Sequence, residues 1–285
     1  MANKDVVLCR IHPGIGIARV GDSPMDYFIG PETPGLTPTF NMAFKDGNGR
    51  IRRQAARFRV FGLNAAGEVI QEMTASDNVT LQWTVAVANR KASGVRFSGV
   101  RHDMRPWDKP DDESQLRNRS EKDRTKLDIA PTPRTISGAD VSGKQFAFTD
   151  GSFYGTAVYL GELRTDTAGR LLVLGGHGVS ASRAGARPLT QYADNDGWHD
   201  DTCDGPVSVR VTVEGRDIPV ESPSWVLVAP PKFAPFVRNV VPLYDVMAEA
   251  AGLTAPAKLS FTDHIFPHFA SFPGSQGLAS PDRTG

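Results

Sequence analysis

The chain has 285 residues, 40% of them hydrophobic and 22% charged, a globular rather than disordered or fibrous composition. Its 32 Lys plus Arg balance 32 Asp plus Glu, which excludes a general affinity for nucleic acid or anionic membrane. Two cysteines, Cys9 and Cys203, exclude a disulfide scaffold, and no apolar run approaches the roughly 18 residues of a membrane span.

The opening Met1-Ala-Asn-Lys-Asp-Val-Val-Leu-Cys9 is too short an apolar run for a signal peptide, so a cytoplasmic location is the default expectation. Val6–Ile11 reads as a first strand. Gly14-Ile-Gly16-Ile-Ala-Arg-Val-Gly21 misplaces the third glycine of a dinucleotide loop, so its glycines read as serving turns or close backbone packing. Arg50, Arg52, Arg53, Arg57 and Arg59 form a local basic cluster, of which Arg57 and Arg59 fall in a strand predicted over Arg57–Leu63. If Phe58 and Val60 point inward, Arg57 and Arg59 share the outer face, and carboxylates elsewhere are their expected partners.

Val79-Thr-Leu-Gln-Trp-Thr-Val-Ala-Val87 alternates strictly, with Val79, Leu81, Trp83, Val85 and Val87 on one face. Such period-two patterning predicts a strand between core and solvent. Between Arg101 and Arg134 the pattern gives way to mixed charge, including Trp107-Asp-Lys-Pro-Asp-Asp-Glu and Arg117-Asn-Arg-Ser-Glu-Lys-Asp-Arg-Thr-Lys126, which reads as a solvated excursion. Further strands are predicted over Phe146–Thr149, Ala157–Leu163 and Leu171–Leu174. The last is apolar on successive residues and so is expected to be central, with both faces covered.

Gly175-Gly-His-Gly-Val-Ser-Ala-Ser182 places His177 near Ser180 and Ser182 without the G-x-S-x-G elbow of a hydrolase. A turn role for His177 is expected, and the glycines suit an anion-binding nest. The densest polar constellation is Asp194-Asn-Asp-Gly-Trp-His-Asp-Asp-Thr-Cys-Asp-Gly205. Its carboxylates require backbone donors, cationic side chains or a cation to offset their repulsion. It fails the calcium-loop register, with His199 at position six and Gly205 at position twelve, and His199 with Cys203 is an incomplete zinc set. The expectation is therefore a metal-free ordered turn plugged by Trp198, and the alternative is a substrate-channel wall formed by Trp198, His199 and Asp200.

Val207-Ser-Val-Arg-Val-Thr-Val-Glu214 alternates four valines against polar residues, and Trp225–Ala229 follows as another strand. Leu243–Ala251 spaces Leu243, Val246, Met247 and Ala250 as a short helix stopped by Gly252. His264 and His268, around Pro267, lack a helical frame for joint ligation. Together these elements, with 28 Gly and 21 Pro between them, predict a mainly β fold. It is expected to be β-sandwich-like or a related antiparallel sheet architecture, with few short helices. Residues 1–270 read as one β-rich module and 271–285 as a flexible tail.

Several ordered segments resemble the amino-terminal part of the L-lysine 6-oxidase and glycine oxidase family, whose members use cysteine tryptophylquinone. They include Ile11-His-Pro-Gly-Ile-Gly-Ile-Ala-Arg-Val-Gly21, Tyr27-Phe-Ile-Gly-Pro-Glu32, Ile51-Arg-Arg-Gln-Ala-Ala-Arg-Phe-Arg-Val-Phe-Gly62, Leu160-Gly-Glu-Leu-Arg-Thr-Asp166, Asp196-Gly-Trp-His-Asp-Asp201 and Trp225-Val-Leu-Val-Ala-Pro-Pro-Lys-Phe-Ala-Pro235. The resemblance implies an oxidase lineage in which a primary amine is oxidised to an iminium and hydrolysed while dioxygen becomes hydrogen peroxide. It also implies that the cofactor tryptophan and cysteine belong to a carboxyl-terminal region beyond the matched part. No cofactor is then expected in this chain alone. Its implied partners are a carboxyl-terminal catalytic domain or a second copy of the chain, with an amino acid as the substrate of the complete enzyme. Cys203 lies five residues from Trp198, but that spacing supplies neither orbital contact nor an activating acid for crosslinking. The alternative is a non-catalytic structural or interaction protein derived from the same family.

Overall fold

The computed structural model describes residues 5–33, 44–96, 116–190, 194–232, 246–248, 251–253, 258 and 260–262. The chain divides into two units, one of Met1–Glu32 with Ala43–Pro231 and one of Thr33–Met42 with Lys232–Gly285. The first unit is built from strands. In chain order they are β1 (Leu8–His12), β2 (Ile15–Arg19), β3 (Tyr27–Ile29), β4 (Arg53–Leu63), β5 (Val69–Met73), β6 (Val79–Val85), β7 (Arg134–Ser137) and β8 (Ser152–Phe153). Then follow β9 (Thr156–Ala157), β10 (Glu162–Thr165), β11 (Leu171–Leu174), β12 (Ser180–Ser182), β13 (Trp198–Asp200), β14 (Cys203–Val213), β15 (Arg216–Ile218) and β16 (Ser224–Ala229).

One large sheet runs β10-β11-β4-β2-β16-β14-β6-β7, with β1, β3 and β5 also paired to β4 and β15 to β14. Its pairs are antiparallel except β16 with β2 and β3 with β4. Just beyond β7, Val141 exchanges bonds with β10: the Thr165 N–H donates to the Val141 carbonyl and the Val141 N–H to Thr165 Oγ1, both at 2.9 Å. The two ends of the sheet thus meet, and the sheet is a nearly closed barrel. The mainly β, largely antiparallel architecture read from the sequence is the one observed.

The alternating segments account for the barrel's inner face. β6 and β14 pair in register from Val79↔Val213 to Val85↔Val207, which turns both sets of apolar residues to the same side. Trp83 is fully buried there, and its indole N–H donates to the Gly169 carbonyl at 2.9 Å. β11 is covered on both faces, as predicted. Leu171 and Val173 join the main core, while Leu172 and Leu174 pack with Ala55, Tyr27 and Ile29 in a second cluster.

Two local expectations are corrected. Phe146–Thr149 is not a strand: Lys144–Phe146 is a 3₁₀ turn and Ala147 makes an isolated bridge to Glu162. The predicted Ala157–Leu163 strand is broken, because Thr156–Ala157 closes a small hairpin with β8 and the ladder resumes only at Glu162. The break falls at Gly161, whose φ of +124° places the backbone where a Cβ would strike the Leu174 carbonyl. The packing role read for the Gly14–Gly21 glycines holds: Gly16 lies within β2 with the Phe58 ring against its backbone, and a Cβ on Gly21 would strike the backbone of Ile51 and Arg52.

Of the predicted Leu243–Ala251 helix, residues 246–248 are helical and the Ala251 N–H donates to the Met247 carbonyl at 2.9 Å. The other residues of that prediction lie outside the described ones, as do residues 101–115 of the charged excursion, His264, His268 and the 271–285 tail. The described part of the excursion, from Leu116, carries buried Arg117, Asn118, Leu127 and Ile129. No helix among the described residues is long and apolar enough to cross a membrane.

Candidate functional site

The Asp194–Gly205 segment folds as a loop, β13, and the start of β14 at one end of the barrel. β13 pairs with β12 in the register Ser180↔Asp200, Ala181↔His199 and Ser182↔Trp198. Positive φ at Gly197, +78°, permits the preceding turn. Each of the five aspartates meets a protein partner. Asp194 lies 3.9 Å from the Arg117 guanidinium, and Asp196 accepts the Asn118 N–H at 2.7 Å. Asp200 accepts from Asn89 Nδ2 at 3.0 Å, Lys91 Nζ at 2.8 Å and Thr202 Oγ1 at 2.6 Å. Asp201 faces the backbone N–H groups of His177, Gly178 and Val179, and Asp204 accepts the Trp225 indole N–H at 2.9 Å.

Carboxylate repulsion is therefore offset by donors and cations of the chain itself. Burial pushes the Asp200 carboxyl toward protonation, but the bonds from Lys91 and Thr202 outweigh it and hold the pKa below the usual carboxylate range. For Asp201 burial prevails over the backbone donors, and its pKa is raised. Among the described residues no three His, Cys, Asp or Glu side chains converge as a metal site would require.

Alternation along β13 sets His199 on the face opposite Trp198 and Asp200. Trp198 donates its indole N–H to the Arg187 carbonyl at 2.9 Å, and its own carbonyl accepts from Arg117 at 3.3 Å. The loop is thus anchored through Trp198. His199 lies across from these contacts, with its ring 4.9 Å from Phe153, which meets Tyr154 edge-on at 4.8 Å; the Arg183 guanidinium covers Tyr154 at 4.5 Å. His199 and Asp200 are thus not joined as a side-chain acid–base pair. The contact between them is from Nδ1 to the Asp200 carbonyl at 3.4 Å. The half-buried imidazole beside the aromatic pair has ring nitrogens capable of hydrogen-bonding a polar ligand.

A second polar cluster adjoins this loop, and the sequence reading did not assemble it. Buried Arg53 donates to Tyr159 Oη at 3.2 Å, the Gly175 carbonyl at 3.3 Å and Glu162 Oε1 at 3.3 Å. Tyr159 stacks on His177 with centroids 5.1 Å apart, and burial pushes its hydroxyl up to about 12. Burial and the neighbouring Arg53 both lower the His177 pKa, favouring the neutral imidazole. The predicted glycine nest does form, but it receives Asp201 from the same chain. Ser180 gives its hydroxyl to the His199 carbonyl at 3.1 Å. Arg53 looked like one arginine among several, and only strand pairing shows that it faces inward beside β10.

Among the described residues, Cys203 and Trp198 are not placed as a crosslinked pair. Cys9 and Cys203 are free and buried. Desolvation raises both thiol pKa values, to about 11 at Cys9, which opposes thiolate chemistry. Cys203 Sγ donates to the Leu160 carbonyl at 3.6 Å, whereas the Trp198 indole is directed to Arg187.

A family profile described as "L-Lysine epsilon oxidase N-terminal" matches residues 12–228. The chain is similar to the L-lysine 6-oxidase of Marinomonas mediterranea, with 32% identity over 82% of this chain and 36% of that protein. A solved structure of the epsilon-lysine oxidase from the same organism superimposes with a TM-score of 0.74 at 29% identity, covering 96% of this chain and 46% of that one. A structure of the Schiff base intermediate of that oxidase with L-Lys gives a TM-score of 0.73 at 27% identity, covering 96% and 45%. The chain thus spans about a third of the length of the curated relative and under half of the solved chains.

Proposed function

The chain belongs to the L-lysine epsilon oxidase N-terminal family, and from that premise we propose that it is the β module of an amine oxidase, without a redox centre of its own. In the complete oxidase a primary amine is converted to an aldehyde or keto product, with release of ammonia and hydrogen peroxide. The observation that carries this reading is the profile match across most of the barrel. In such an enzyme cysteine tryptophylquinone would accept the electrons, and its tryptophan and cysteine would come from outside this chain. The module's contribution is structural: it presents β13, with Trp198 and Asp200 anchoring the strand and His199 facing the passage to the amine.

The protonated, buried thiols favour one further reading, a non-catalytic structural or interaction protein of the same descent. The two differ in what happens when a catalytic portion is supplied. The purified 285-residue chain is expected to form no peroxide with L-lysine and to show no Trp–Cys crosslink by intact mass. Fused ahead of the catalytic portion of a family oxidase, it should support amine-dependent peroxide formation, and His199→Ala should lower that turnover. A crosslinked, active isolated chain would overturn the module reading, and an inert but folded fusion would favour the non-catalytic one.

A further inference from the structure

Two charged side chains at the same end of the barrel are almost wholly buried and incompletely bonded. Arg53 and Asp201 are each 2% exposed. The Arg53 Nη atoms have the acceptors described above, yet its Nε has no hydrogen-bond partner among the described residues, and neither does Asp201 Oδ1. The two groups lie on adjacent residues of one turn: Arg53 binds the Gly175 carbonyl, and Asp201 packs so closely on Gly176 that a Cβ there would collide with its carboxyl. Both also act electrostatically on the neighbouring His177 ring.

A buried polar atom left unbonded costs about 1–3 kcal/mol, so the identity of the missing partner follows from what each atom requires. Arg53 Nε needs an acceptor and Asp201 Oδ1 needs a donor. An anion would serve the first and repel the second; a cation would do the reverse. Arg53 is already opposed by Glu162, which leaves no demand for a further ion. Water is neutral, both accepts and donates, and characteristically bridges buried polar groups that lack a protein partner. We propose that Arg53 and Asp201 enclose a buried water site against the Gly175–Gly176 turn, in which ordered water accepts from Nε and donates to Oδ1.

This site joins β4 to the start of β14 through the glycine turn and stands independently of the oxidase reading. A high-resolution crystal structure of the chain tests it. Ordered water within hydrogen-bonding distance of Arg53 Nε and Asp201 Oδ1 is expected; direct contact between the two, other protein partners, or a dry site would overturn it. Magnetic relaxation dispersion of water nuclei gives a solution readout. Asp201→Asn keeps an acceptor and should retain the long-lived water, whereas Asp201→Leu should lose it. Loss of that water in folded Asp201→Asn, or its retention in folded Asp201→Leu, would overturn the site; if the leucine variant does not fold, the crystal structure and the asparagine variant decide.

Discussion

Trp83 and Asp201 are both buried, but their burial has opposite consequences. Trp83 brings a large apolar surface to the core and satisfies its one polar atom on the Gly169 carbonyl, so its burial is favourable throughout. Trp83→Asp would set an unpaired charge at that position and should destabilise the chain by more than about 4 kcal/mol; an unfolding midpoint unchanged by urea titration would reject the burial assignment. Asp201 is a carboxyl whose folded pKa is raised by desolvation. The folded state therefore holds its proton more tightly than the unfolded state, and stability is gained as pH falls through the raised pKa. Asp201→Asn removes that gain. On moving from neutral to mildly acidic pH, the stability difference should shift in favour of the unsubstituted chain, and a pH-independent difference measured by urea unfolding would contradict this. Asp200 works in the opposite sense, since its lowered pKa contributes stability that is lost on acidification. The Asp201→Asn comparison isolates one from the other.

At the scale of an element, β4 explains why the arginine-rich run needs no nucleic acid. Phe58 and Val60 are fully buried, and Arg57 and Arg59 occupy the other face. There Glu32 accepts from both arginines, Arg59 reaches Glu72 at 3.1 Å, Arg170 binds Glu72 at 2.6 Å and Asp166 at 3.4 Å, and Asp166 lies 4.0 Å from Arg57. Three acids and three bases thus close a ring across β4, β5, the β10–β11 turn and Glu32 in the segment after β3. Isolated surface pairs contribute little, but a partly buried network with bidentate geometry contributes more. Glu72→Gln breaks the ring at two points and should lower stability by about 1 kcal/mol at low ionic strength. The loss should shrink in high salt as screening weakens the ring; urea titrations of both proteins at two salt concentrations measure it.

For the whole molecule, closure of the sheet brings the β12–β13 loop, the glycine turn and the 116–124 segment to one end. The loop aspartates are supplied with donors from four other stretches, through Asn89 and Lys91, through Arg117 and Asn118, through the backbone of His177–Val179, and through Trp225. These contacts already offset the charge, and among the described residues no three His, Cys, Asp or Glu side chains converge for calcium to stabilise preferentially in the folded state. Addition of calcium should leave the thermal midpoint unchanged. A saturable increase that Asp196→Asn with Asp200→Asn abolishes would show instead that the loop binds the cation.

The sequence alone determined the strands whose patterning is self-contained. β6 and β14 were legible because alternation of apolar and polar residues reports one covered face whatever covers it. β11 was legible as central because successive apolar residues require cover on both faces. The ordered segments also carried the family. The short strands β8, β9, β12 and β13 were not legible, since two or three residues carry too little periodicity and depend on a neighbour for their hydrogen bonds. Break points such as Gly161 were hidden for the same reason: the obstacle is the Leu174 carbonyl on another strand. The aspartate-rich loop announced that its charges needed partners, but Asn89, Lys91, Arg117 and Trp225 are distant in sequence. Arg53 and Asp201 are farther apart still, and their shared turn exists only once β4, β11 and β14 are assembled. Pattern fixes which face of a strand is buried; closure of the sheet decides which polar groups are buried together.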